Sequence, residues 1–96
     1  MTKADIVTNI SNKLGMEKSN VQATVETLME EVKYSLESGD NVYLRGFGSF
    51  IVKTRAEKTG RNISKNTTII IPAHNTPSFK PAKVFKESVK ASVIVK

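Results

Sequence analysis

The sequence predicts an α+β fold on three observations. Its first forty residues repeat apolar side chains at helical spacing, its middle alternates at period two, and a lysine-rich helical stretch follows Pro81. One domain over 1–96 is expected: a helical base over 1–40, a three-stranded antiparallel sheet over 41–80 with a protruding β-arm at about 53–75, and a short C-terminal helix and tail over 81–96.

Thr2 with Asp5 three residues on forms an N-capping pair, and Ile6, Val7, Ile10 and Leu14 follow on one helical face until Gly15. A second helix starts near residues 17–19. Val21, Val25, Leu28, Met29, Val32 and Leu36 give it a broad apolar stripe, read as core, and Gly39 ends it. After the turn at 39–41, Val42 and Leu44 open a short strand. Gly46-Phe47-Gly48 permits a reversal, and a longer strand runs outward from Ser49 through Lys53 and Arg55, which share a face. A return strand is read from Thr67 to Thr76, with Pro72 implying an edge position or a bulge. Pro77 and Pro81 bracket Phe79 and lead into the last helix, with Pro81 near its first turn.

Ninety-six residues with no apolar run of membrane-spanning length describe a soluble domain, and the N-terminal residues lack a secretory signal. The cytosol is the default. A projecting arm leaves little chain for a core, so association with a second copy is the natural remedy. Without cysteine there is no disulfide or thiolate site, and the single histidine, His74, reads as a surface or loop residue rather than a ligand or general base. No cofactor, metal or small-molecule substrate is expected, and no catalytic set can be assembled.

The net charge of +6 is unevenly spread: residues 1–52 hold five basic and seven acidic side chains, residues 53–96 ten and two. Such polarity points to a polyanion engaged by the second half. Lys53, Arg55, Lys58, Arg61 and Lys65 face only Glu57 within the arm. One reading is a hairpin kept soluble by its charge. The preferred one is a ribbon laid along a nucleic-acid groove.

Ile63 sharpens that choice. A β-branched residue forms turns poorly, and Gly60, Asn62 and Asn66 already supply the reversal. An apolar tip can act as a wedge between base pairs while Arg61 and Asn62 contact the backbone or groove acceptors. Packing on another arm, or simple exposure, is the alternative. Lys3, Lys80, Lys83, Lys86 and Lys90 form a second basic set, either solvent-facing or meeting the phosphates of a duplex that wraps the body.

Gly46-Phe47-Gly48-Ser49-Phe50, the run from Arg55 to Asn62 and the run from Asn75 to Pro81 resemble the bacterial HU and integration host factor family of DNA-bending proteins. The resemblance covers nearly the whole chain. It implies an intertwined dimer whose helical hairpins form the dimerisation base and whose two β-arms reach into the minor groove of double-stranded DNA, a bending mode already attributed to this family. It implies a shared core of Phe47, Phe50 and Phe79. Arm contacts would come from Arg55, Lys58, Arg61 and Asn62, and body contacts from Lys3, Lys83 and Lys86.

Two positions depart from the family pattern. Ile63 stands where proline is usual, so bending with altered geometry is expected. Arg45 resembles an arginine that helps one integration-host-factor subunit read a consensus, but Tyr43 stands where that subunit has an acid. Weak sequence preference is therefore favoured, with Arg45 pairing a carboxylate as the plain alternative. The reading is a non-enzymatic, nucleoid-associated histone-like protein, a homodimer or one half of a heterodimer with a related chain, that bends or compacts DNA. Its alternatives are a site-specific bender and a basic module docking on an anionic membrane or acidic protein.

Overall fold

The computed structural model describes residues 1–62 and 67–95. In chain order the elements are α1 (Lys3–Leu14), α2 (Lys18–Glu37), β1 (Val42–Leu44), β2 (Gly48–Arg55), β3 (Lys58–Asn62), β4 (Thr67–Ile71), β5 (His74–Pro81) and α3 (Lys83–Ser92). The α+β expectation holds. Two antiparallel sheets form, one of order β1-β2-β5 and one of β3-β4.

The Thr2–Asp5 pair is a reciprocal capping box: the Thr2 amide donates to Asp5 Oδ2 at 2.8 Å, and the Asp5 amide donates to Thr2 Oγ1 at 3.3 Å. At the other end the Gly15 amide bonds the Ser11 carbonyl, and α1 folds back on α2. Between β1 and β2 the Phe47 amide reaches the Leu44 carbonyl at 3.0 Å, with Gly46 at φ 82°. A side chain there would be strained, which is why glycine sits at this point of the turn.

The expected return strand is divided. β5 runs on through Pro77 to Pro81, pairing along the whole of β2, whereas β4 pairs only with β3. The prolines do not end β5 because it is an edge strand, where a missing N–H costs no ladder bond. Pro81 accordingly closes the strand rather than opening the helix, and Ala82 is the N-cap of α3. Pro72 and Ala73 interrupt the return strand opposite Ala56 and Glu57. Register is the same on both sides of this gap, Arg55 pairing His74 and Lys58 pairing Ile71. No residue is inserted, so Pro72 marks a joint in one long ribbon and not a bulge.

Helices and sheet leave much apolar surface open. Among the described residues Val7 and Val21 are the buried apolar side chains, at 5% and 2% exposure. The α2 stripe read as core is only partly covered by its own chain: Val21 is buried and Val25, Val32 and Leu36 are half-buried, but Leu28 is 52% and Met29 41% exposed. One chain has no second layer to lay over that face. Its radius of gyration of 18.8 Å also exceeds the roughly 13 Å of a compact 100-residue domain, because the ribbon stretches the longest dimension to 57 Å.

Gly48 sits where β5 comes close to β2. A Cβ there would lie 2.6 Å from the Lys80 carbonyl oxygen and 2.6 Å from the Phe79 ring. Gly48→Ala is expected to push β5 off β2 and destabilise the fold by about 1–3 kcal/mol, read as a lower thermal midpoint. An unchanged midpoint would show that the strand root tolerates a side chain.

Candidate nucleic-acid interface

Strand pairing sorts the side chains of the main sheet onto two faces. Partners in a ladder share a face and neighbours alternate. Phe50 pairs Phe79 and Val52 pairs Pro77 on one side, whereas Ser49 pairs Lys80, Lys53 pairs Thr76 and Arg55 pairs His74 on the other. Cations and aromatics are therefore segregated across a single sheet.

On the aromatic side, Phe47 lies with its ring centre 5.1 Å from Phe79, 5.6 Å from Phe85 and 6.5 Å from Phe50, and Phe50 lies 4.9 Å from Phe79. The expected trio is brought together. Phe85 was missed as its fourth member. Its signal was its place on the apolar face of the last helix, which is docked by the Ala82 amide on the Phe47 carbonyl at 2.9 Å. The cluster is unfinished within one chain, since Phe47 remains 46% exposed.

On the cationic side, Arg45, Lys80 and Lys83 line one shallow concavity with Tyr43 and Ser49. Lys53 and Arg55 continue the same face outward, all exposed. Lys58 begins the distal ribbon opposite Ile71, and the β3 backbone carries Arg61 and Asn62 opposite Thr68 and Thr67. Lys86 follows Lys83 by about one turn of α3. Ile63 and Lys65 lie outside the described residues. His74 Nδ1 is 3.0 Å from the Pro72 carbonyl, a local contact at the joint of the ribbon. Among the described residues Arg45 meets no carboxylate at ion-pair distance.

Lys3 stands apart from that concavity. Its Nζ lies 3.3 Å from Glu26 Oε1 on α2, and Gln22 Nε2 donates to the same oxygen at 2.8 Å. The Gln22 bond first, and Lys3 second, hold the Glu26 carboxyl below its ordinary value of 4.5. A depressed folded-state pKa contributes stability above the unfolded value and loses it as pH falls through the folded value. A small acid-side loss, beginning near pH 4.5, is therefore expected to be absent in Glu26→Gln. Paired urea titrations above and below that pH would measure it, and identical curves for both proteins would refute it.

Among the described residues no group of three or more His, Asp or Glu converges as metal ligands, and no described helix is long and apolar enough to cross a membrane.

A family model described as bacterial DNA-binding protein matches residues 1–90. The chain is 40% identical over 90 residues to the DNA-binding protein HU of Thermus thermophilus, covering 94% of this chain and 93% of that one. It is 39% identical over 90 residues to integration host factor subunit alpha of Aliivibrio fischeri, covering 94% and 92%. The solved structure of Anabaena HU with DNA superposes with a TM-score of 0.88 at 35% identity, covering 93% of this chain and 97% of that one. With a helical hairpin, a sheet that separates cations from phenylalanines, and a ribbon extending from it, the chain belongs to the bacterial DNA-binding protein family of which HU and integration host factor are members.

Proposed function

We propose that two copies of this chain join through their open aromatic and α2 faces and bend duplex DNA between their arms. The observation that carries this reading is the division of one sheet into a cationic face continuous with the ribbon and an unfinished apolar face behind it. The apolar face accounts for pairing, because burying phenylalanines from two chains supplies the core that one chain lacks. The cationic face accounts for the polymer, because a line of exposed lysine and arginine displaces counterions from phosphates.

In this reading Arg55, Lys58, Arg61 and Asn62 grip the minor groove with Lys53 and Lys65, and Ile63 opens a base step. Arg45, Lys80, Lys83 and Lys86 receive the flanking phosphates, and Lys3 joins them when it leaves Glu26. Preference follows deformability, since nicked or distorted duplex costs less to kink. The protein acts as a non-enzymatic architectural component of the nucleoid. That Anabaena HU was crystallised with DNA, at 35% identity, supports the assignment.

The test is a gel-shift and bending assay on intact, nicked and kinked duplexes with wild type and Ile63→Ala. The variant is expected to keep binding but lose much of the bend and its preference for distorted DNA. Equal bending by both proteins would remove the wedge. Stronger binding to anionic liposomes than to duplex would displace the whole reading in favour of a membrane module.

A further inference from the structure

Strand β4 carries no charge and three consecutive isoleucines, whereas its partner β3 carries two cations in five residues. Ile71 pairs Lys58 and Ile69 pairs Gly60, so both isoleucines share a face with Lys58, and Ile70 pairs Thr59 on the opposite face. Gly60 leaves room beside them: a Cβ there would sit 4.0 Å from Ile71 Cδ1. All three isoleucines are open, with Ile70 64% exposed. Whichever face of this ribbon meets a polymer, β4 presents methyl groups to it.

Aliphatics left this open on a cationic hairpin constrain the partner. The cations require phosphates. The methyl groups require a wall that needs no hydrogen bonds. Resting on the minor-groove reading above, we infer that β4 makes the arm selective for deoxyribose over ribose, with Ile69, Ile70 and Ile71 as the discriminating residues. In the minor groove of RNA the walls display 2′-hydroxyls. A hydroxyl pressed against isoleucine loses water and gains no partner, which weakens binding by about tenfold for each one buried. A deoxyribose wall carries no such group.

The experiment uses the full chain and three duplexes of one sequence: DNA, the same DNA with every second nucleotide of one strand a ribonucleotide, and the same DNA with 2′-fluoro nucleotides at those positions. The fluoro duplex controls for sugar pucker without offering a hydroxyl. Wild type is expected to bind the fluoro duplex within about threefold of DNA and the ribo duplex at least about tenfold more weakly. The Ile69→Thr/Ile70→Thr/Ile71→Thr variant keeps β-branched side chains and supplies hydroxyls, so it should bring the fluoro and ribo duplexes within about twofold of each other. Equal wild-type affinity for those two duplexes, rejection of both, or a ratio unchanged by the triple substitution would overturn the inference and leave DNA bending intact. Failure of wild type to bind the all-DNA duplex would overturn the groove reading itself.

Discussion

Phe47→Ala is expected to dissociate the assembly and leave a chain that does not fold stably. Phe47 is the hub of the aromatic cluster, within 5.1 to 6.5 Å of Phe79, Phe85 and Phe50. Truncating a phenylalanine in a core costs about 3–5 kcal/mol, against a total stability of about 5–15 kcal/mol for a typical small protein. In a symmetric dimer the loss is incurred twice, and a chain whose described buried apolar residues number two has no reserve. The expected observations are a monomer by sedimentation and a thermal midpoint that falls sharply and no longer rises with protein concentration. Phe47→Leu, which keeps most of the volume, should retain the dimer with a lower midpoint. A dimeric Phe47→Ala protein with a normal midpoint would mean that the aromatic face is not where two chains meet.

Removing the arm cations should leave the fold intact and abolish tight DNA binding. Lys53, Arg55 and Lys58 are exposed and form no described ion pair, so their truncation costs the folded chain little. The combined variant Lys53→Ala/Arg55→Ala/Lys58→Ala/Arg61→Ala removes eight side chains from a pair of copies. Each lost phosphate contact lowers the slope of log affinity against log salt by about 0.9, so the slope is expected to fall by up to about 7. Fluorescence titrations across a salt series measure this directly. Lys13→Ala/Lys33→Ala, on the helical hairpin, is the matched control and should leave the slope unchanged. Similar slopes for the arm variant and wild type would place the phosphate contacts elsewhere on the molecule.

Much of this architecture was legible in the linear chain because it rests on local physics. The Thr2–Asp5 box, the stop at Gly15, the turn at Gly46 and the strand running outward from Ser49 through Lys53 and Arg55 each depend on neighbours a few residues away. The return strand was less legible. Its end was read at Thr76, with Pro77 and Pro81 leading into the last helix, whereas β5 runs on to Pro81 as an edge strand, and edge or centre is a property of strand order rather than of the residues themselves. The α2 stripe misled in another way: Leu28 and Met29 have the spacing of core residues, but spacing does not say whose core.

By itself the sequence determined the α+β class and the concentration of positive charge beyond residue 52, both of which follow from residue type and short-range periodicity. Only the tertiary structure decided that Lys80 joins Lys53 and Arg55 on the face opposite Phe50 and Phe79, that Phe85 is a fourth member of the aromatic cluster and that Lys3 is held by Glu26. Those relations join residues from about twenty to nearly forty positions apart, and the pairing register that creates them is set by the packing of whole strands and helices, which no local pattern encodes.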